Sequence, residues 1–154
     1  MKKLYYITIG LGLFIAFSCN KNTASSPPAP GPTSIGNLSV DGVAISNLSH
    51  SSFLNSGNFA VIAYGPGSHP ELQVTFYGTA TPTYGTYAIT TGTVTYGKCT
   101  ITYSDTGASS PSTATSGFVN VVTSGTAPNN TLSFSNISIS GGAGHHTLTA
   151  TITY

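Results

Sequence analysis

The side chains that could do chemistry are few in this sequence and lie far apart. The acidic residues are Asp41, Glu71 and Asp105. A glycosidase or an aspartyl enzyme needs two carboxylates that converge on one bond. Asp41 directly precedes Gly42, and Asp105 lies two residues before a glycine, so both patterns predict turns. Glu71 stands alone, and we interpret it as a charge at a strand edge that discourages pairing with another chain.

Nucleophilic catalysis has no better support. The chain is rich in serine, but the G-x-S-x-G turn of serine hydrolases does not occur. Cys99, Ile101 and Tyr103 alternate with polar residues in a pattern that predicts a strand, and a thiol on their apolar face is expected to be buried and unreactive. We therefore expect no catalytic residue and no enzyme, with a hydrolase or a metal-dependent enzyme as the least favoured alternative.

The histidines do not form a metal-binding pattern. His145 and His146 are adjacent in a predicted strand, where neighbouring side chains point to opposite faces, so one ion cannot bind both without a bulge. His50 and His69 fall in predicted loops. We expect no metal site and no cofactor, the alternative being a weak site at His145 with a distant partner.

The tyrosines point to binding. A tyrosine ring can stack on a sugar, and its phenol can form hydrogen bonds with sugar hydroxyl groups. Tyr77 lies on the polar side of an alternating strand and is the candidate for an exposed ligand-binding residue. Tyr87, Tyr96 and Tyr103 lie on apolar faces and are predicted to be core residues. A glycan-binding module is therefore an alternative function.

The elements that position these residues are predicted to be strands. Apolar and polar residues alternate over 72–77, 86–90, 93–96, 98–103 and 146–154, and the apolar run 59–64 fits a buried central strand. Residues 108–116 are predicted to be irregular, and no helical period occurs. We expect an all-β domain, an antiparallel β-sandwich (Ig-like) of about eight strands, with a small β-barrel as the alternative.

Charge limits the range of partners. Only 5% of the residues are charged, against about 25% in an average protein. After residue 19 two lysines face three acidic residues, and there is no arginine. Two lysines release few counterions from phosphates and cannot drive association, so we expect no nucleic-acid binding.

The N-terminus has the pattern of a secretory signal. Lys2 and Lys3 precede the apolar segment 4–17, which is shorter than the roughly 20 residues that span a membrane. The segment ends in the sequence AFSC at 16–19, which resembles the bacterial lipobox. That resemblance implies that Cys19 is acylated and becomes the mature N-terminus. Cys99 then has no partner for a disulfide.

The resemblance extends to location and organisation. The relaxed lipobox, followed by asparagine and lysine, and the patterns at 83–87 and 116–121 resemble small lipoproteins of the Bacteroidetes type. This implies an outer-membrane lipoprotein of the cell envelope, with the periplasmic and the surface face both open, and it implies no activity. We divide the chain into a signal peptide (1–18), a lipid-anchored Pro/Ser-rich linker (19–35) and an all-β domain (36–154).

Together these features predict a non-enzymatic envelope protein, anchored to the membrane through its N-terminal lipid. It would act as a binding or structural accessory module. Its expected partners, apart from the membrane, are a glycan or another envelope protein.

Overall fold

A computed structural model describes residues 36–123 and 130–154. The predicted signal peptide 1–18, the lipid attachment site Cys19 and the linker 19–35 lie outside these residues, as does the predicted turn at 124–129. Within the described ranges no helix has the length and hydropathy needed to cross a membrane.

The described chain is all-β, which confirms the predicted class. Its one helical element is a three-residue 3-10 turn at Pro66–Ser68. The strands in chain order are β1 (Gly36–Val40), β2 (Val43–Ile45), β3 (Ser49–Asn55), β4 (Asn58–Tyr64), β5 (Glu71–Phe76), β6 (Gly85–Ile89), β7 (Lys98–Ser104), β8 (Ser112–Ala114), β9 (Phe118–Thr123), β10 (Asn130–Gly141) and β11 (Gly144–Thr153).

All of these strands belong to one hydrogen-bonded sheet. Its order is β2-β1-β11-β10-β9-β6-β7-β5-β4-β3, and β8 pairs with both β7 and β10. Every pairing is antiparallel except that of β6 with β7, where Ala88 lies opposite Lys98 and Ile89 opposite Cys99. The sheet is therefore mixed, and the expectation of a purely antiparallel arrangement is wrong at this one pair.

The strand count also exceeds the expected eight. β3 has the sequence SHSSFLN, in which apolar and polar residues do not alternate. Such a pattern is possible because β3 is an edge strand and most of its side chains are exposed. Its pairing with β4 instead follows from the turn at Ser56 and Gly57, whose φ angles of 50° and 79° fit a tight hairpin. β8 forms inside the segment 108–116, which the sequence predicts to be irregular.

One predicted strand does not form. Residues 93–96 lie in the connection between β6 and β7, outside any strand. Two parallel neighbours cannot be joined by a tight hairpin, so the chain must turn back between them. Here eight residues suffice, because the parallel overlap is limited to the end of β6 and the beginning of β7.

The buried side chains form a single hydrophobic core. Residues from β1, β10 and β11 pack together with residues from β4, β5 and β7. The rings of Phe59 and Tyr154 lie 6.1 Å apart between centroids, and those of Tyr103 and His146 lie 5.5 Å apart. The sheet thus curls so that strands distant in its order share one interior, where each fully buried large apolar side chain contributes about 1.5–3 kcal/mol.

Two hairpins show why the local sequence matters. Asp41 and Gly42 have φ angles of 51° and 81°, which confirms the predicted tight turn between β1 and β2. The long hairpin of β10 and β11 turns at the predicted glycine-rich segment and contains a bulge between Phe134 and Ile137. There the backbone N–H of Asn136 donates to Thr149 Oγ1 at 3.1 Å.

Gly117, just before β9, lies where a Cβ atom would displace the end of the Ile137 side chain. Its φ is +119°, and a Cβ atom there would lie 2.3 Å from Ile137 Cδ1 and 3.2 Å from Ile89 Cδ1. We predict that Gly117→Ala lowers the free energy of unfolding by about 2–3 kcal/mol, because crowding in the core and an unfavourable backbone conformation act together. Urea denaturation measures the change.

Gly92→Ala is the matched control. A Cβ atom at Gly92 meets nothing within 4 Å. Its unfolding curve should stay close to that of the wild type. Equal stability of the two variants would contradict the proposed crowding at Gly117.

Candidate functional site

The residues first considered for catalysis do not form a common site. Glu71 begins β5, which lies between β4 and β7, so its interpretation as a charge guarding a sheet edge is wrong. His146 is bonded to Asp41 and to the carbonyl oxygen of Ala143, so it does not pair with Glu71. His50 lies in β3, not in the predicted loop, while His69 is exposed before Pro70.

Cys99 is a buried core residue, as its strand position predicts. Its side chain has no exposed surface. Burial raises the pKa of the thiol to about 12, so the nucleophilic thiolate is scarce at neutral pH. The thiol lies 3.9 Å from the carbonyl oxygen of Tyr87, a weak contact. Its role is packing.

Asp41 and His146 form an ion pair that the sequence does not predict. His146 Nδ1 lies 2.8 Å from Asp41 Oδ2, and the backbone N–H of Thr147 donates to Asp41 Oδ1 at 2.8 Å. The Asp41 N–H donates in turn to the Thr147 carbonyl oxygen at 2.9 Å. These contacts fasten the β1–β2 turn to β11, so Asp41 has a second role beyond its place in the turn.

The surroundings of His146 favour the charged imidazolium. Nε2 lies 2.7 Å from the carbonyl oxygen of Ala143, so both ring nitrogens face oxygens that only accept hydrogen bonds. The hydrogen bond to Asp41 and that to Ala143 raise the pKa of His146, and the charge of Asp105 adds to this. The hydrogen bonds from His146 and Thr147 lower the pKa of Asp41.

This arrangement leaves His146 without a free nitrogen for proton transfer or metal binding. His145, its neighbour, is exposed on the opposite side of the strand. In residues 36–123 and 130–154 no three or more His, Cys, Asp or Glu side chains are grouped so that they could hold a metal ion.

The exposed tyrosines surround one cleft, which we call the tyrosine cleft. Tyr77 is exposed, as predicted, and its neighbours across the cleft are Tyr84, Tyr87 and Tyr96. Tyr96 is 91% exposed, so its predicted place in the core is wrong. The reason is that 93–96 form no strand, and Tyr96 instead occupies a turn that the Lys98 N–H closes by donating to the Thr95 carbonyl oxygen.

The cleft is built from two connections at one end of the sheet, the β5–β6 segment 77–84 and the β6–β7 segment 90–97. The segment after β5 is fixed at Gly78, whose N–H donates to Asn58 Oδ1 at 3.1 Å and whose carbonyl accepts from the Phe59 N–H. The segment before β6 is fixed by the Tyr87 hydroxyl, which donates to the Thr83 carbonyl oxygen at 2.9 Å. The ring of Tyr87 packs edge-on against Phe76 at 5.0 Å. Tyr87 therefore forms the floor of the cleft, half-buried against the core.

The lining of the cleft is aromatic and uncharged. Its volume is about 350 Å³, within the range of small-molecule sites. Besides the tyrosine rings it contains threonine hydroxyls, Pro82 and backbone groups, and no acidic or basic side chain. Such a surface can stack on a flat apolar face and form hydrogen bonds with neutral hydroxyl groups. It offers nothing to neutralise a charged ligand.

The ion pair predicts a pH dependence of stability. Folding raises the pKa of His146 above its ordinary value of 6.5. The charged His146 therefore stabilises the fold fully below pH 6.5, and this stabilisation is lost as the pH rises through the folded-state pKa. Asp41, whose pKa is lowered, contributes above its ordinary value of 3.8 and loses that contribution as the pH falls. We predict that His146→Gln destabilises the protein most between these two values and least above the folded-state pKa of His146.

Denaturation curves recorded from pH 4 to pH 9 provide the measurement. The exposed neighbour supplies the control, because His145→Gln should leave the pH profile of stability unchanged. A constant difference between wild type and His146→Gln over the whole range would refute the charged state assigned to His146.

Comparisons with known proteins provide no family for the chain. Models of protein families, curated proteins and solved structures were each compared with it, and none of them matches.

Proposed function

We propose that the protein is a lipid-anchored, non-enzymatic binding module of the bacterial cell envelope, and that its tyrosine cleft binds an uncharged glycan. The cleft is the observation that carries the proposal. Tyr77, Tyr84 and Tyr96 are 56%, 74% and 91% exposed and lie around one depression. Large aromatic side chains tend to be at least partly buried, so three exposed rings around one cleft indicate a ligand.

The chemistry of the cleft favours a carbohydrate. Sugar rings have apolar C–H faces that stack on aromatic rings and hydroxyl groups that bind phenols and threonines. Hydrogen bonds at Gly78 and Tyr87 hold the connections of the cleft before a ligand binds, which supports a low entropy cost of binding. The absence of charged groups in its lining disfavours phosphate and acidic ligands.

The anchor rests on the N-terminal sequence. The signal pattern and the lipobox at 16–19 support acylation of Cys19 and removal of 1–18. Two or more acyl chains hold a protein firmly at a membrane, whereas one holds it only marginally. A proline-rich linker, at about 3.1 Å per residue, would extend the domain on the order of 40 Å from the bilayer. The resemblance to Bacteroidetes-type lipoproteins supports the outer membrane as the location.

For the fold we propose a variant of the β-sandwich. Core residues of β10 and β11 pack together with those of β4, β5 and β7, and the ring of Phe59 lies against that of Tyr154, which supports two layers facing one core. This arrangement is consistent with two facing layers that share hydrogen-bonded strands at their margin.

The glycan hypothesis makes a direct prediction for the cleft. Tyr96→Ala and Tyr77→Ala should each weaken binding to neutral polysaccharides by about tenfold or more, since an exposed ring that becomes buried by a ligand contributes about 1.4 kcal/mol or more. Retardation in affinity gels containing laminarin, xyloglucan or galactomannan measures the effect, after a glycan array has identified the class of sugar.

Phe53→Ala is the matched control for these variants. Phe53 is an aromatic residue of β3 that is 40% exposed and does not line the cleft. It should bind like the wild type. If the protein binds a proline-rich peptide and no glycan, the ligand is a peptide and the glycan hypothesis is wrong. If it binds neither class, the cleft is not a ligand site.

The anchor makes a separate prediction. In the native host, the protein should incorporate a palmitate analogue, and Cys19→Ala should abolish this labelling and release the protein from the membrane fraction. Cys99→Ser is the control, because Cys99 is buried in the core and should not affect labelling. A Cys19→Ala variant that still incorporates the label would overturn the assignment.

A further inference from the structure

A second depression lies on the outer face of the sheet. It has a volume of about 480 Å³ and is formed by strands β9, β10 and β11. We call it the outer groove. Its polar lining includes Asn120, Thr149 and Thr151, and at one side stands Phe118, an aromatic residue that is 62% exposed. Like the tyrosine cleft, it is lined by no charged side chain.

A row of polar side chains, one from each of five neighbouring strands, runs through the outer groove. Pairs of residues in direct register share a face of the sheet. The registers link Thr86 of β6 to Asn120 of β9, Asn120 to Ser133 of β10, Ser133 to Thr151 of β11, and Thr151 to Asn37 of β1. Four of these side chains are exposed and Ser133 is half-buried. Neighbouring strands lie about 4.8 Å apart, so the row is roughly 19 Å long.

The row and the tyrosine cleft meet at one hydrogen bond. Thr86 lines the cleft, Asn120 lines the outer groove, and Thr86 Oγ1 donates to Asn120 Oδ1 at 2.8 Å. The two depressions therefore adjoin at this pair. Tyr87, the floor of the cleft, follows Thr86 in β6 and points to the opposite face of the strand, so the surface turns from the outer face into the cleft at this strand.

The bulge of β10 contributes to the depth of the outer groove. At the bulge, between Phe134 and Ile137, Asn136 adopts a φ of 54° and its N–H bonds to Thr149 Oγ1. On the other side, Gly117 brings the chain close to Ile137 just before Phe118. A depression with an aromatic wall thus lies beside the polar row.

We propose that the outer groove and the tyrosine cleft form one continuous track for an extended, uncharged polysaccharide chain. This inference rests on the proposed glycan-binding function and specifies its ligand. The cleft holds sugar rings by stacking, and the row contributes hydroxyl and amide groups at regular spacing along the following part of the polymer. A track longer than the cleft recognises the interior of a chain several sugar units long, in preference to a free mono- or disaccharide.

The track predicts a dependence on ligand length. Wild-type protein should bind laminarin, xyloglucan or galactomannan at least about tenfold more tightly than the disaccharide of the same sugar. Phe118→Ala and Thr151→Ala should remove most of this advantage while leaving disaccharide affinity unchanged, and Tyr96→Ala should weaken both. The affinities are measured by isothermal titration calorimetry. The ligands are the polysaccharide that retards the protein most in affinity gels and the disaccharide of the same sugar.

Val122→Ala is the matched control, because Val122 lies on β9 two residues beyond Asn120, is 50% exposed and lines neither depression. It should behave like the wild type. If Phe118→Ala and Thr151→Ala keep the full length advantage while Tyr96→Ala loses binding, the track is refuted and the cleft stands. If wild-type protein binds none of the polysaccharides, the proposed function fails together with the track.

Discussion

The parallel pairing of β6 with β7 is the constraint on which the tyrosine cleft depends. Both strands run in the same direction. The eight residues between them must therefore return from the end of β6 to the start of β7 at one end of the sheet. Backbone bonds from Ala88 to Gly97 and from Thr90 to Cys99 hold this connection against the strands. The resulting turn presents Tyr96 to solvent beside the segment that follows Tyr77. A simple hairpin at this place would have left Tyr96 on a strand face.

Within the described residues, apolar packing and neutral hydrogen bonds provide most of the contacts that stabilise the fold. The core brings strands from both ends of the sheet together, and within the described residues the one ion pair fastens the β1–β2 turn to β11 through Asp41 and His146. Hydroxyl and amide side chains stand on the outer face of β6, β9, β10, β11 and β1. Those same groups stand in register from Thr86 to Asn37 and form the polar row of the proposed track.

Much of the core could be predicted from alternation alone. The inward positions of β5, β7 and β11 follow the two-residue period, so Val74, Ile101 and Leu148 are buried as expected. The prediction of strands from alternation failed at β3, which has no apolar face. It also failed at β8, whose three residues form a strand by pairing with β7 and β10. It also failed at Tyr96, since alternation over four residues does not distinguish a short strand from a connection.

By itself, the sequence determined the all-β class, the turn at Asp41 and Gly42, the burial of Cys99 and the exposure of Tyr77, because each depends on local chemistry or on a period of two. Only the tertiary structure decided that one strand pair is parallel, that Tyr77, Tyr84 and Tyr96 share a cleft, and that Asp41 meets His146 across 105 positions. These features depend on which strands become neighbours. That choice minimises the free energy of the whole core, and no short stretch of sequence contains it.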